Sequence, residues 1–246
     1  MRASAASSAA APPGWLAALS AWPPYSRLPP EVQRQLEARA LVRELKRGQY
    51  VWREGERAAH FVLILRGLVK IVHPTPAGQE PILGIFGQGD SIGDSAVLQQ
   101  AGYPADALVS SRSATLLQLE SAPLLRAQQA LPQVSQAMQQ VLIGHTRELR
   151  EKINVTSAGS VPQRLAALLL YLARRFGAAP AAGAWSVPLA ISRAELAALA
   201  GTTVETTIRT LSRWRRQGLI ASAAGSGLLL PRPGELRRIQ AGSPQA

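Results

Sequence analysis

The segment from Ile191 to Ile220 carries the residues whose types and spacing could do chemistry. Within it, Glu205 and Arg209 are four residues apart, and Arg213 and Arg216 follow at helical intervals. At 100° per residue these side chains fall on one side of a helix. Arginine can donate two hydrogen bonds to guanine, and glutamate can accept one from the amino group of cytosine. The pattern favours a helix that reads DNA bases; the alternative is a surface ion pair worth about 0.3 kcal/mol.

Capping signals divide this segment into two helices. Ser192 and Glu195 form a capping box, which starts a helix at the next residue after the serine, and Gly201 ends it. Thr203 can cap a second helix, which ends near Gly218. Two helices joined by a tight glycine-containing turn are typical of the helix-turn-helix, whose second helix enters the major groove.

The second helix is predicted to have a buried and an exposed side. The buried side comprises Val204, Thr207, Leu211 and Trp214, with Ile208 at the border. The candidate DNA-contacting residues are Ser192, Arg193, Thr202, Thr203, Val204, Glu205, Ile208, Arg209, Ser212 and Arg213. Residues 219–231 then predict two short strands around a Gly-Ser tip, a wing able to approach the phosphate backbone.

Charge and composition agree with an anionic partner. The chain has 246 residues and a formal net charge of +12, and two-thirds of that excess lies between residues 160 and 246. The absence of cysteine excludes disulfides, iron–sulfur clusters and cysteine-ligated zinc, and fits a reducing cytoplasm. We recognise no transmembrane run, phosphate loop or catalytic triad, so neither a membrane protein nor an enzyme is expected.

The rest of the chain predicts an α+β protein in four parts. Residues 1–24 are expected to be a disordered tail, and residues 25–132 a domain of short antiparallel strands after one short helix. Residues 133–157 show helical periodicity, and the break at 157–163 is the predicted hinge. Residues 158–246 form the helix-turn-helix domain.

The periodic stretch indicates a dimerisation helix. One apolar stripe runs along it, of which Met138, Leu142, His145, Leu149 and Ile153 are the expected interface. A single stripe over seven turns with charged flanks suits a helix that packs on its own domain and on a twin. Packing wholly within one subunit is the alternative.

Taken together, these motifs resemble the CRP/FNR superfamily of bacterial transcription regulators over residues 30 to 235. The sequence TVETTIR resembles the recognition-helix motif of the FNR-like branch, with Glu205 and Arg209 at the base-reading positions. Ile208 stands where FNR-like proteins often have serine. The sequence GQGDSIGD, residues 87–94, is similar to the family's β-roll signature. The resemblance implies an N-terminal cyclic-nucleotide-binding-like β-roll, a homodimer on a palindromic site, RNA polymerase as a further partner and a cytoplasmic location.

The effector site departs from the pattern that the resemblance implies. Cyclic-AMP-binding members carry Gly-Glu and then Arg-Ser, whereas this chain has Gly93-Asp94 and Pro104-Ala105. Without that arginine the cyclic phosphate has no fork-shaped partner. The adenine-contacting helix positions fall at Leu149 and Arg150, which also departs from the pattern. Cyclic AMP is therefore not expected as the effector.

An apolar ligand is the remaining expectation, with haem as one candidate. The iron–sulfur cluster of FNR-type relatives is excluded, but some members of the superfamily hold haem through histidine. His145 is the candidate haem ligand, and a satisfied core histidine is the alternative for this residue. The competing function is that of a haem- or small-ligand-binding sensor whose helical domain is an interaction module rather than a DNA reader.

Overall fold

The computed structural model describes residues 13–73, 81–177, 183–187, 191–223 and 227–242. Within these ranges, three helices come first: α1 (Trp15–Ala21), α2 (Pro23–Ser26) and α3 (Pro30–Ala38). Leu19 and Trp22 are buried, and the Trp22 ring lies 5.7 Å from that of Phe61. The predicted disordered tail is therefore wrong from residue 15 onwards, because aromatic and leucine side chains anchor these helices on the sheet. Residues 1–12 lie outside the described residues.

Eight strands lie in the described part of the N-terminal domain. In chain order they are β1 (Leu41–Lys46), β2 (Tyr50–Trp52), β3 (His60–Arg66), β4 (Val69–Val72), β5 (Ile82–Phe86), β6 (Ser91–Ile92), β7 (Asp106–Val109) and β8 (Ser113–Glu120). They make two four-stranded sheets, in the orders β1-β8-β3-β6 and β2-β7-β4-β5. The pairs of β8 with β1 and β3, and of β7 with β2 and β4, are antiparallel. In the sequence, VHPTPAGQE (residues 72–80) predicts a hairpin-like loop at this point, and residues 74–80 of it lie outside the described residues.

Helix α4 (Asp94–Leu98) follows β6, and α5 (Ser121–Ala130) and α6 (Pro132–Thr156) follow β8. Helix α6 is the predicted long helix. Its first half is buried against the strands through Val134 and Met138. Its second half leaves Leu149 and Ile153 55% and 61% exposed.

The chain divides into two compact units at a point inside α6. The first unit comprises residues 1–80 and 85–147, and the second comprises residues 81–84 and 148–246. Helix α7 (Val161–Phe176) holds the end of α6 in the second unit: Glu148 accepts a hydrogen bond from the Tyr171 hydroxyl and pairs with Arg175. The second compact unit thus begins ten residues before residue 158, where the sequence predicts the start of the helix-turn-helix domain, and α6 itself ends at Thr156, next to the predicted hinge.

The second unit continues with β9 (Trp185–Val187), α8 (Arg193–Leu199), α9 (Val204–Arg216), β10 (Ala221–Ser222), β11 (Leu228–Leu230) and α10 (Pro233–Gln240). The three strands form an antiparallel sheet in the order β10-β11-β9. Helix α7 ends before Gly177, and that glycine is extended rather than left-handed. A Cβ there would lie 2.2 Å from the Ala173 carbonyl oxygen and 2.4 Å from that of Ser186, so close backbone approach requires the glycine.

No helix in the described part of the chain is long and apolar enough to cross a membrane.

Candidate nucleic-acid interface and effector locus

The caps of α8 and α9 form as the sequence predicts. Ser192 accepts a hydrogen bond from the backbone N–H of Glu195, whose carboxylate accepts one from the Ser192 N–H. The Thr203 hydroxyl accepts from the Thr206 N–H at 3.2 Å. The hydroxyl groups of both predicted contact residues are thus engaged in starting the helices, and their contribution to DNA binding stays a prediction.

The turn between α8 and α9 is held from α7. Gly201 has φ +60°, a left-handed conformation that favours glycine. Arg164 donates through Nε to the Ala200 carbonyl oxygen at 2.8 Å and through Nη2 to that of Gly201 at 3.2 Å. These bonds satisfy carbonyls at the end of α8 and fix the angle at which α9 leaves the turn.

Helix α9 buries one side against the rest of its unit. Thr207, Thr210, Leu211 and Trp214 are buried. Val204, which we predicted on this side, is 43% exposed instead, so that prediction is wrong. The reason is its place as the first residue of the helix, one turn beyond the packed part of the buried face.

The opposite side of α9 is open to solvent. The side chains of Glu205 and Arg209 are 86% and 72% exposed, and their closest charged atoms lie 3.4 Å apart. Ile208, Ser212 and Arg213 are also exposed. The surface ion pair that the sequence left as the alternative therefore exists in the free protein. At this exposure it contributes little stability, and both side chains are available to a partner.

Further basic residues lie close to this helix. Burial, and then the neighbouring charge of Arg215, lowers the pKa of Arg193 at the start of α8.

Thr202 is half-buried in the turn. The wing predicted after α9 consists of β10 and β11, and residues 224–226 at its tip lie outside the described residues.

The N-terminal unit has a second polar cluster at the predicted effector locus. Asp94 is completely buried at the start of α4, and its Oδ2 accepts a hydrogen bond from the Ser91 hydroxyl at 2.8 Å. The same oxygen lies 3.5 Å from His145 Nε2. Burial raises the pKa of Asp94, while His145 and the Ser91 hydroxyl act in the opposite direction.

His145 is packed and hydrogen-bonded. Its Nε2 lies 3.0 Å from the Ser91 carbonyl oxygen, and its ring meets that of Phe86 edge-on with centroids 5.8 Å apart. A carbonyl oxygen only accepts, so Nε2 carries the proton and donates. These contacts favour the alternative of a satisfied core histidine over a free ligand.

Two aromatic rings fill the space beside Gly93. Trp52 and Tyr103 stack with centroids 4.0 Å apart, and a Cβ on Gly93 would lie 2.7 Å from Tyr103 and 3.1 Å from Trp52. The Trp52 indole donates to the Ala105 carbonyl oxygen at 2.9 Å. Ala105 is buried and Pro104 exposed, so neither offers a charged donor to an anion.

Leu149 and Arg150, the other predicted effector residues, are exposed and belong to the second unit. Their part in an effector site stays a prediction. Among the described residues, no cluster of three or more histidine, aspartate and glutamate side chains could hold a metal ion.

Sequence reasoning missed the Trp52–Tyr103 pair and the anchoring role of Arg164. No spacing rule links Trp52 to Tyr103, because Trp52 ends β2 and Tyr103 lies in the loop between α4 and β7. A signal was present for Arg164, an arginine in the first turn of the helix that precedes the helix-turn-helix.

Two family models match the chain. The cyclic nucleotide-binding domain matches residues 42–130, and the Crp-like helix-turn-helix domain matches residues 163–239. Between them they take in both candidate sites except residues on α6.

Curated relatives are transcription regulators. The nitrogen fixation regulation protein FixK of Bradyrhizobium diazoefficiens is 28% identical over 74% of this chain and 75% of its own length. The CRP-like cAMP-activated global transcriptional regulator of Mycobacterium tuberculosis is 29% identical over 77% of this chain and 86% of its own.

Solved structures share the fold. FixK2 from Bradyrhizobium japonicum superposes with a TM-score of 0.71 and 19% identity over 84% of this chain and 98% of its own. The order of β-domain, long helix and helix-turn-helix, the motifs on α9 and these relatives agree: the chain belongs to the CRP/FNR superfamily of DNA-binding transcription regulators.

Proposed function

We propose that the chain acts as a homodimer that binds a two-fold symmetric DNA site, with one α9 in the major groove of each half-site. The observation that carries the proposal is the placement of Glu205 and Arg209 in the first two turns of α9, both strongly exposed. Helix-turn-helix proteins read base edges with this part of the second helix. The free ion pair between the two side chains is weak enough to open when bases replace it.

Each charged side chain on α9 has a role that its chemistry suits. Arg209 pairs bidentately with a guanine, and Glu205 accepts from the amino group of a cytosine in a neighbouring base pair. One helical turn rises about 5.4 Å, which spans one to two base-pair steps of about 3.4 Å. Arg213 and Arg216, nearer the end of the helix, contact phosphates and position the helix without reading sequence.

The second half of α6 supplies the dimer contact. Leu142, Leu149 and Ile153 lie on one stripe of the helix, and the last two are more than half exposed in the single chain. Leaving leucine and isoleucine in water forgoes about 1.5–3 kcal/mol of burial per side chain. A twin helix packed along the stripe recovers that burial and sets the spacing of the two α9 helices.

Cyclic AMP is not the effector in this proposal. The Trp52 and Tyr103 rings lie against Gly93, and Pro104-Ala105 supplies no cation for a cyclic phosphate. A buried charged ligand without a partner is costly. If an effector acts here, an apolar molecule suits Ile85 and Ile92, which are buried in the same domain.

Haem at His145 fits the described residues poorly. An iron bound at Nε2 would break the hydrogen bond to the Ser91 carbonyl and lie against the buried Asp94 carboxylate. Haem reconstitution of the wild type beside His145→Ala tests the point: uptake by the wild type with an altered spectrum in the variant would make His145 a ligand. We expect no difference between the two proteins.

RNA polymerase and a cytoplasmic location complete the proposal, because a regulator of this superfamily meets both its DNA and the transcription machinery there. The competing proposal is a ligand sensor whose helical domain is an interaction module.

Selection and salt titration separate the two functions. The full-length protein is incubated with random-sequence duplex DNA, and the enriched duplex is compared with a shuffled duplex of equal composition between 50 and 200 mM salt. We expect a palindromic site, preferred over the shuffled duplex, with affinity falling about 10³-fold or more across the salt range. Equal affinity for both duplexes would overturn base reading, and absence of binding would favour the sensor.

A further inference from the structure

Residues 157–160 connect α6 to α7, and hydrogen bonds tie this link to both helices. The backbone N–H of Ser157 donates to the Ile153 carbonyl oxygen at 2.9 Å, which extends the last turn of α6. The backbone N–H of Ser160 donates to the Gln163 side chain at 2.9 Å, so the link runs directly into the cap of α7. The end of α6, the link and the helix-turn-helix all belong to the second compact unit.

Arg164 joins this link to the turn of the helix-turn-helix. Its guanidinium donates through Nη1 to the Gly159 carbonyl oxygen, which lies in the link. Through Nε and Nη2 the same group donates to the carbonyl oxygens of Ala200 and Gly201, at 2.8 and 3.2 Å. One half-buried side chain on the first turn of α7 thus holds a point just after α6 and a point just before α9.

The end of α6 also lies close to the same turn. A Cβ built on Gly201 would lie 4.0 Å from the Thr156 Cγ2 methyl, and Val155 is buried. The last turn of α6 and the turn before α9 are therefore neighbours as well as being connected through Arg164.

The arginine side chain suits this connection. Its planar guanidinium presents five N–H donors in a fixed fork, so it holds several carbonyl oxygens at set angles to one another. The lysine ammonium carries the same charge as a compact group on a flexible stem. A rigid fork that spans both segments makes the turn before α9 move together with the link.

A homodimer engages two half-sites at once only if its two α9 helices are held at the matching separation and angle. One base pair more or less between the half-sites shifts one of them by about 3.4 Å and rotates it by about 34°. Simultaneous engagement raises affinity about 10²–10⁴-fold and is lost where the geometry forbids it. The rigidity of the path from α6 to α9 thus decides how strictly the protein reads the spacing.

We propose that Arg164 is a positioning residue that sets the spacing of the two half-sites, because it fixes the end of the dimer helix α6 to the turn before α9. The inference rests on the proposed function, since it requires a homodimer through α6 with one α9 in each half-site. Arg164 acts through the link and the turn, whereas Glu205 and Arg209 read the bases.

Spacing variants of the DNA test this role. Wild type, Arg164→Ala and Arg164→Lys are titrated against the palindrome that the wild type enriches from random-sequence DNA. The same proteins are titrated against that palindrome with one base pair added or removed at its centre. We expect the wild type to lose about 10²-fold or more in affinity on either changed spacing.

Both variants should read the spacing less strictly. Arg164→Ala should bind the enriched palindrome about ten-fold more weakly, because its α9 helices are less preorganised. Its further loss on a changed spacing should stay below about ten-fold, since a looser path lets both half-sites be engaged. Arg164→Lys keeps the charge without the fork, so it should resemble the alanine variant rather than the wild type.

The ratio of affinities between two spacings separates positioning from stability. Partial unfolding lowers the active fraction equally for every duplex and leaves this ratio unchanged. Arg238→Ala is the matched control, because it removes a positive charge from an exposed position of α10 in the same unit. It should keep the wild-type ratio, and thermal melting without DNA measures the stability of each variant.

The outcomes separate this inference from the function on which it rests. The wild-type ratio in Arg164→Ala or in Arg164→Lys overturns the positioning role of the arginine fork. A wild type that enriches a palindrome but tolerates both changed spacings also overturns it. A protein that enriches no sequence overturns the proposed function, and this inference falls with it.

Discussion

The functional groups on the exposed side of α9 and those around Gly93 differ in their exposure to solvent. On α9, the charged atoms of Glu205 and Arg209 lie 3.4 Å apart, and both side chains are strongly exposed to solvent. At the effector locus, Asp94 is completely buried and shares its oxygen with Ser91 and His145. The functional side chains of α9 are exposed and available to a partner, whereas Asp94 at the effector locus is enclosed within the protein.

This difference indicates where an external partner can bind without breaking existing contacts. Base pairs replace a weak surface ion pair on α9, which costs little. A ligand at the second locus would have to displace stacked aromatic rings or a buried hydrogen bond, each worth about 0.5–1.5 kcal/mol. The exposed stripe on α6 is similar to the exposed side of α9, because its apolar side chains are also available to a partner.

The largest effect is expected at that stripe. Leu149→Glu puts a charge where the twin helix would pack, so the protein should become monomeric and lose at least about a hundred-fold in DNA affinity, since one half-site supplies half of the contacts. Sedimentation and binding to the selected palindrome measure both effects. Leu142→Glu should act in the same direction.

The control is Gln140→Glu, an exposed position on the opposite side of the same helix. It should leave the dimer and the affinity unchanged. A dimer that survives Leu149→Glu would move the interface away from this stripe.

A second prediction tests how tightly the effector locus is filled. Gly93 has φ +79°, and a Cβ there would meet both aromatic rings. Gly93→Ala should therefore lower the free energy of unfolding by about 2–3 kcal/mol. Denaturant titration measures the loss.

Gly144→Ala is the matched control. This glycine lies in α6 with nothing within 4 Å of an added Cβ, so alanine should stabilise the protein by about 0.5–1 kcal/mol. If Gly93→Ala were neutral, the packing around Gly93 would be loose and the contrast between the two regions would weaken.

The sequence predicted the exposed side of α9 much better than the locus around Gly93. The caps at Ser192 and Thr203, the turn at Gly201 and the exposure of Arg209 follow from local rules, because each depends on residues within one or two helical turns. The Trp52–Tyr103 pair depends on strand register and a loop, which no local pattern fixes.

Tertiary packing also explains why the structure differs from the predictions at the start of the chain and inside α6. The first helices look like a small-residue tail, yet Leu19 and Trp22 are buried in the first unit. The second unit begins at Glu148, whose carboxylate pairs with Arg175 and accepts a hydrogen bond from the Tyr171 hydroxyl on a different helix. Neither partner could be chosen from sequence spacing.

A third prediction concerns the pH dependence of stability at Asp94. Burial raises the pKa of this carboxyl, so its contribution to stability is present below the unfolded-state pKa and is lost as pH rises through the raised pKa. Asp94→Asn removes that loss, so the free energy of unfolding of the variant relative to the wild type should increase as pH rises from about 4 towards neutrality.

Denaturant titrations at several pH values check this prediction. Asp90→Asn, on the neighbouring turn, is the control, because Asp90 is only half-buried. A parallel pH dependence of wild type and Asp94→Asn would show that the buried carboxyl does not titrate in this range.

The smallest expected effect is that of cyclic AMP, which should neither bind in the micromolar range nor change DNA affinity. The absence of a cationic side chain at Pro104-Ala105 and the aromatic pair beside Gly93 are the reasons. Calorimetric titration tests it, with the cAMP-activated regulator of Mycobacterium tuberculosis as the positive control. Binding of cyclic AMP in the micromolar range would mean that the locus around Gly93 rearranges to accept a charged ligand.

The central claim is that the exposed side of α9 reads bases, and Arg209→Ala tests it most directly. The variant and Arg216→Ala are each titrated against the selected palindrome and against half-sites changed at one base pair at a time. We predict that Arg209→Ala loses about 1–3 kcal/mol on the selected site and no longer distinguishes one G·C pair, while Arg216→Ala weakens every duplex equally. An equal loss on all duplexes for Arg209→Ala would reduce this residue to a phosphate contact and contradict the claim.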